Sequence, residues 1–113
     1  MIMLTMATAV YLAGLQASIT APRVAFQNCI KQTSAKAEAD KVAGDAYEAL
    51  LRAACAPQGE KLKSALVAFD VKNGVARSRA AADADADVTD GFSSSVDAYK
   101  WRLRTEAKQA SAN

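Results

Sequence analysis

Two cysteines, Cys29 and Cys55, are the residues whose type and spacing first suggest chemistry, and the 113-residue chain that holds them contains no histidine. Two thiols without a histidine or a second cysteine pair cannot complete the tetrahedral shell of zinc. The C-x-x-C spacing of redox enzymes is also absent. A structural disulfide, two free buried cysteines and a reactive pair remain as interpretations, and the sequence favours the disulfide.

The segment between the cysteines is predicted to be a helical hairpin. One apolar face at helical spacing carries Phe26, Cys29, Ile30, Thr33 and Ala37. The second apolar stripe carries Tyr47, Leu50, Leu51, Ala54 and Cys55. Gly44 is expected to follow the end of the first helix, and Asp45 with Glu48 is expected to cap the second. Residues equidistant from the turn face each other, which brings the cysteines within the Cα separation of a disulfide, roughly 4.4–6.8 Å. A disulfide indicates an oxidising compartment and therefore export.

The first 22 residues, MIMLTMATAVYLAGLQASITAP, contain none of the chain's charged residues. As a helix they would span about 33 Å, close to the thickness of the bilayer core. Three interpretations compete: a cleaved signal peptide, an uncleaved membrane anchor and a buried core helix. Residues 1–22 are assigned as a signal peptide or a membrane anchor, and the signal peptide is favoured although these residues include no cationic n-region and no convincing cleavage site. Polar residues such as Thr5 and Gln16 weaken the anchor, while Arg23 and Lys31 just after it favour a cytoplasmic body, in conflict with the cysteines.

The second half of the chain is predicted to form a long central helix and a C-terminal helix. A break from Pro57 to Gly59 precedes the central helix. Its core-facing positions are Leu62, Leu66, Phe69, Asn73 and Ala76. Asn73-Gly74 is a turn signal, but the Ala-rich pattern resumes at once, so the helix is predicted to continue to about Asp90. Gly91 then ends it, and Ser94 begins the last helix.

An acidic run, made of Asp83, Asp85, Asp87 and Asp90, suggests a calcium loop. An EF-hand loop that opens at Asp83 needs glycine at its sixth position and glutamate at its twelfth, where this chain has Val88 and Ser94. The run is therefore interpreted as a solvated or salt-bridged helix face, and no metal site is predicted.

The C-terminal helix is expected to fold back antiparallel onto the central one. That geometry pairs Asp83 with Arg102 and Asp85 with Lys100. Each exposed pair would contribute about 0–1 kcal/mol to stability.

A single tryptophan, Trp101, falls on the opposite face of the last helix from its apolar stripe, near Arg104 and Lys108. An aromatic side chain among cations can stack on a base, lie at a lipid headgroup or anchor a protein partner. The competing interpretation is that Trp101 packs against another helix of the same chain. Trp101, Arg104 and Lys108 are the candidate partner-binding site.

The cysteine hairpin together with SALVAFDVKNGVARSRAAADADAD resembles a group of small exported α-helical proteins of Gram-negative bacteria that carry one cysteine pair. The likeness extends from about Cys29 to Tyr99, some two thirds of the chain. It implies export and paired cysteines, and it implies no activity for any residue.

Composition limits the fold class and the function classes. With 51% apolar but only 6% aromatic residues and few Gly and Pro, the chain is typical of an all-α protein with a small-residue core. We predict a disulfide-stapled helical hairpin packed on a long central helix and a C-terminal helix, preceded by an apolar N-terminal helix. Residues 23–110 form the helical domain and residues 111–113 a tail.

The chemistry of the residues argues against an enzyme. Without histidine, Ser-His and Cys-His nucleophiles are excluded, and the sequence has no glycine-rich phosphate loop. No cofactor or small-molecule substrate is predicted, and a net charge of +2 does not indicate nucleic-acid binding.

The sequence therefore predicts a non-enzymatic helical interaction or structural protein of the periplasm, which acts through a protein partner or through self-association. The alternative is a single-span accessory subunit of a larger membrane protein complex, anchored in the inner membrane through residues 1–22. A soluble carrier of an apolar ligand would need a larger cavity than these side chains indicate.

Overall fold

Two short turns divide the chain into three helices: α1 (Ile2–Ala39), α2 (Gly44–Lys72) and α3 (Arg77–Ala112). The computed structural model describes the backbone of residues 2–112 and the side chains of residues 19–112. These residues form no strand, which confirms the all-α prediction. The predictions for the apolar N-terminal segment concern residues 1–22, whose side chains lie almost entirely outside the described residues.

The helices run up, down and up. α2 packs along both neighbours, so α1 and α3 are parallel to each other and meet through fewer contacts. The disulfide between Cys29 and Cys55 joins α1 to α2 with the Cα atoms 5.8 Å apart, which confirms the stapled hairpin.

Both turns end the preceding helix in the same way. The Val42 amide donates to the Ala37 carbonyl and the Lys41 amide to the Glu38 carbonyl, with Lys41 in the left-handed region at φ 56°. This pair of bonds is a Schellman motif, which satisfies carbonyls that the helix end leaves unpaired. The left-handed residue at this turn was predicted to be Gly44, and that prediction is wrong because α2 already begins there.

The predicted cap of α2 is wrong for the same reason. The N-cap position is Ala43, which has no side chain able to accept a hydrogen bond, and Asp45 lies inside the first turn. A carboxylate there still interacts favourably with the positive end of the helix dipole.

The second turn is a Schellman motif at Gly74. The Val75 amide donates to the Asp70 carbonyl and the Gly74 amide to the Val71 carbonyl, and Gly74 has φ 90°. The predicted continuation of a central helix through Asn73-Gly74 is therefore wrong. The long central helix is in fact the end of α2 followed by the start of α3.

The break predicted from Pro57 to Gly59 does not occur, because α2 passes through both residues. Proline removes the hydrogen bond to the carbonyl four residues earlier, that of Ala53. Ala53 and Pro57 are both exposed, so water can satisfy the freed carbonyl.

The helix end predicted at Gly91 is also wrong, and α3 continues to Ala112. Gly91 instead makes room for Phe26, and Gly59 makes room chiefly for Val88. A Cβ atom on Gly91 would lie 2.9 Å from Phe26 Cε2, and one on Gly59 would lie 3.2 Å from Val88 Cγ1 and 3.6 Å from Phe26 Cε1. The Phe26 ring also meets the Phe92 ring edge to face, with centroids 5.1 Å apart.

The core follows one stripe on each helix. Its fully or nearly fully buried apolar side chains are Phe26, Ala37, Tyr47, Leu51, Cys55, Leu62, Ala80, Ala84, Val88, Phe92, Val96 and Tyr99. The core contains two pairs of packed aromatic rings, Phe26 with Phe92 and Tyr47 with Tyr99, in addition to its small side chains. The small-residue core expected from the composition is thus reinforced by four aromatic rings.

Candidate interaction surface

Trp101 lies on the outer face of α3 and is 60% exposed. It is displaced about 200° around the helix from both Tyr99 and Leu103, which point toward the bundle. The interpretation that Trp101 packs against another helix of the chain is therefore wrong. Arg104 and Lys108 follow at helical spacing on the same face and are exposed. The structure thus brings the three predicted site residues onto one surface, and what they bind stays a prediction.

Tyr99 holds this part of α3 against the hairpin turn. Its hydroxyl donates to the Val42 carbonyl at 2.6 Å, and its ring stacks on Tyr47 with centroids 4.0 Å apart. The Tyr47 hydroxyl is in turn hydrogen-bonded to the Ser95 hydroxyl at 2.7 Å. Burial, with a smaller contribution from nearby Glu38, raises the pKa of Tyr99 above its usual value. The neutral phenol is the form that the site stabilises.

Arg102 fixes the same end of α3 from the α1 side. Its guanidinium pairs with the Glu38 carboxylate and donates to the Ser34 hydroxyl at 2.7 Å. Tyr99 and Arg102 are both engaged toward the hairpin from one side of α3, so the opposite face, which carries Trp101, points into solvent.

The acidic run is an ion-paired helix face, but its partners differ from the predicted ones. Asp87 pairs with Arg23 on α1 at 3.0 Å, and Asp85 pairs with Lys63 on α2 at 2.9 Å. The hydrogen bond to Asp85 raises the pKa of Lys63, against the opposing effect of burial.

The predicted pairs with Arg102 and Lys100 are wrong because all four residues lie on the one continuous helix α3. Asp83 instead approaches Arg79, one turn earlier, at 3.9 Å. Among the described residues, no three His, Cys, Asp or Glu side chains lie close enough together to hold a metal ion.

The cysteines form a structural link whose sulfurs differ in exposure. Cys55 is fully buried, whereas Cys29 is partly exposed. The Thr33 hydroxyl lies 3.5 Å from the Cys55 sulfur and is the donor, since a disulfide sulfur carries no hydrogen. The pair ties α1 to α2 in the middle of the hairpin.

A second surface feature was missed by the sequence reasoning: an apolar groove on the α1–α2 seam, here called the Leu50 groove. It measures about 280 Å³ and is lined by Gln32, Thr33, Lys36, Ala37, Asp40, Val42, Leu50 and Ala54. Leu50 was predicted to belong to the apolar stripe but is 43% exposed. A partial signal was present in the sequence, because Leu50 and Leu51 are consecutive and lie about 100° apart around the helix, so at most one of them points directly at the core.

Comparison with known proteins gives no relative for this chain. No family model matches the sequence, and no curated protein or solved structure is significantly similar to it. Within the part of the chain that the structure describes, none of the helices has an apolar stretch sufficient to cross a bilayer.

Proposed function

We propose that this protein is a non-enzymatic helical interaction protein of the periplasm, which binds a protein partner or another copy of itself through Trp101, Arg104 and Lys108. The observation that carries the proposal is the exposure of Trp101 on a helix that is otherwise fixed firmly to the bundle. Tryptophan and arginine are two of the residue types enriched among the energetically dominant residues of protein interfaces.

Three features favour a protein over a membrane or a nucleic acid as the partner. The exposed face of α3 carries Asp97 one turn before Trp101 together with the cations Arg104 and Lys108, so its charge is mixed. It has one aromatic side chain, whereas nucleic-acid platforms stack successive bases on several. Lipid binding by a surface helix needs a broad apolar face, and Trp101 stands alone among polar neighbours.

The disulfide supports the periplasmic location. Disulfides persist in oxidising compartments and are rare in the cytosol of most organisms. Export also agrees with the resemblance of residues 29–99 to small exported helical proteins.

The alternative is a membrane-anchored accessory subunit, and the uncharged segment before Arg23 favours it. The fold places constraints on this arrangement. Arg23 is level with Asp87, and Trp101 lies 14 residues farther along α3, about 21 Å from that level. An anchor at residues 1–22 would therefore hold Trp101 well away from the membrane surface, facing a partner outside the bilayer.

Recovery of the native protein from solubilised membranes and from the soluble fraction tests both proposals, the periplasmic interaction protein and the membrane-anchored subunit. The copurifying proteins are identified by mass spectrometry, and the N-terminus of the recovered chain is determined in the same sample. A chain that begins after residue 17 and is soluble rules out the anchor. A chain that is recovered without stoichiometric partner and without self-association contradicts the proposed function itself.

A further inference from the structure

The chain carries both an exposed aromatic side chain and an apolar groove of side-chain size. Trp101 is 60% exposed, and the Leu50 groove measures about 280 Å³ with mostly apolar walls. We propose that Trp101 of one copy occupies the Leu50 groove of a second copy. This inference rests on the proposed function and names its partner as the protein itself.

Charge supports the match. Trp101 is preceded one turn earlier by Asp97 and followed three residues later by Arg104, while the groove is lined by Lys36 on α1 and Asp40 in the turn that follows it. None of these four charged residues forms an ion pair within the described part of the chain. When α3 of one copy runs in the same direction as α1 of the other, Asp97 faces Lys36 and Arg104 faces Asp40.

The spacings of the charges are close enough for both pairs to form. Asp97 and Arg104 are about 10.5 Å apart along α3, whereas Lys36 and Asp40 are about 6 Å apart at the C-terminal end of α1. The long side chains of Lys36 and Arg104 span the difference. The charge order therefore selects one direction of docking over the reverse, in which like charges would meet.

The two surfaces face different directions in one copy. The Leu50 groove is lined by α1, α2 and the turn between them, whereas Trp101 points away from both helices. A two-fold dimer cannot use both contacts at once, so the contact is heterologous and each copy can add to the next. Because a single tryptophan and two rim charge pairs make a small interface, the association is weak and transient.

Complementary variants test this arrangement directly. Trp101→Ala keeps the groove and removes the inserted side chain. Ala54→Arg keeps Trp101 and fills the groove from an exposed position of α2. Val24→Ala is the matched control, because Val24 is 46% exposed but belongs to neither surface. Helix content and the unfolding midpoint are measured for each variant before use.

Sedimentation velocity is carried out from about 10 µM to about 1 mM, a range that brackets a weak transient interface. Wild type and Val24→Ala are expected to form a concentration-dependent series of oligomers. Trp101→Ala and Ala54→Arg are each expected to stay monomeric. Their mixture is expected to form one-to-one heterodimers and nothing larger, because only one functional contact can form in it.

Fluorescence gives an independent readout, since Trp101 is the chain's single tryptophan. In the mixture only the Ala54→Arg copy is fluorescent at the tryptophan wavelength, and its emission is expected to shift to the blue when Trp101→Ala copies are added. A wild type that stays monomeric throughout, or a mixture without heterodimers and without the shift, overturns the inference.

Self-association through the Leu50 groove and partner binding through Trp101 give different results when each is wrong. If wild type is monomeric when pure but elutes in a larger assembly from cells, and Trp101→Ala does not, the proposed function stands and the second copy is the wrong partner. If Trp101→Ala changes neither measurement, the candidate surface fails as well.

Discussion

Reduction of the Cys29–Cys55 disulfide is expected to destabilise the protein strongly without changing its fold. Both side chains remain as thiols and only move apart to van der Waals distance, so no cavity is created and the main effect falls on the unfolded chain. The cysteines are separated by 26 residues. A closed loop of that length restricts the unfolded chain by about 3.5 kcal/mol at 25 °C in the chain-entropy account. For a domain of this size the loss lowers the melting temperature by roughly 14–28 °C.

Urea unfolding of the oxidised and the reduced protein, followed by far-ultraviolet circular dichroism, measures the difference. The free energy of unfolding should also fall more steeply with urea concentration for the reduced protein, because its unfolded chain is less compact. The double variant Cys29→Ala, Cys55→Ala is the control, since a reductant should leave its stability unchanged. A difference below about 1 kcal/mol between the oxidised and reduced forms would refute the loop argument.

Three further predictions concern packing, backbone and pH. Gly91→Val is expected to lower the free energy of unfolding by about 1–3 kcal/mol, because the added side chain collides with the Phe26 ring. Urea unfolding should show a much smaller loss when the same substitution is made in a Phe26→Leu background, and equal losses in the two backgrounds would contradict the contact. Gly74→Ala is expected to cost about 1–2 kcal/mol from its positive φ alone, because nothing lies within 4 Å of an added Cβ, and unchanged thermal stability would count against the turn. The raised pKa of Tyr99 predicts that the stability from the buried neutral phenol is complete below about pH 10 and is lost as the pH rises through the native pKa. Unfolding free energies should therefore fall more steeply between about pH 10 and pH 12 in wild type than in Tyr99→Phe, and parallel curves would contradict the assignment.

The hairpin was predictable because its signals are local. The apolar stripes around Phe26 and Leu51 have helical spacing, and the cysteines lie at nearly equal distances from the turn. The exact turn residues were not predictable, since Lys41 adopts the left-handed conformation that glycine normally takes. That choice depends on the two hydrogen bonds of the turn and on the packing of Val42.

The glycines show why the second half was harder to predict. Gly74 ends a helix, whereas Gly59 and Gly91 lie inside helices, although local turn signals are present at Gly59, from Pro57, as well as at Gly74, from Asn73. The difference is tertiary: Phe26 on α1 packs against Gly59 and Gly91, while nothing approaches Gly74. Contacts with residues distant in the sequence therefore decide whether a glycine ends a helix or allows close packing inside one.

The candidate surface was predictable in part. Helical spacing placed Trp101, Arg104 and Lys108 on one face, because that requires only that the local segment be a helix. The Leu50 groove arises from the relative position of α1 and α2, which the sequence pattern does not specify.

The native size of the protein tests the account most directly. Wild type and Trp101→Ala are expressed in the same cells, cross-linked before lysis so that weak complexes survive dilution, released without reductant and separated by size-exclusion chromatography. Cross-linked wild type is expected to elute earlier than Trp101→Ala, which is expected to elute as the 11.9 kDa monomer. Wild type that elutes as a monomer, or a Trp101→Ala variant that elutes with wild type, contradicts an interaction surface at Trp101.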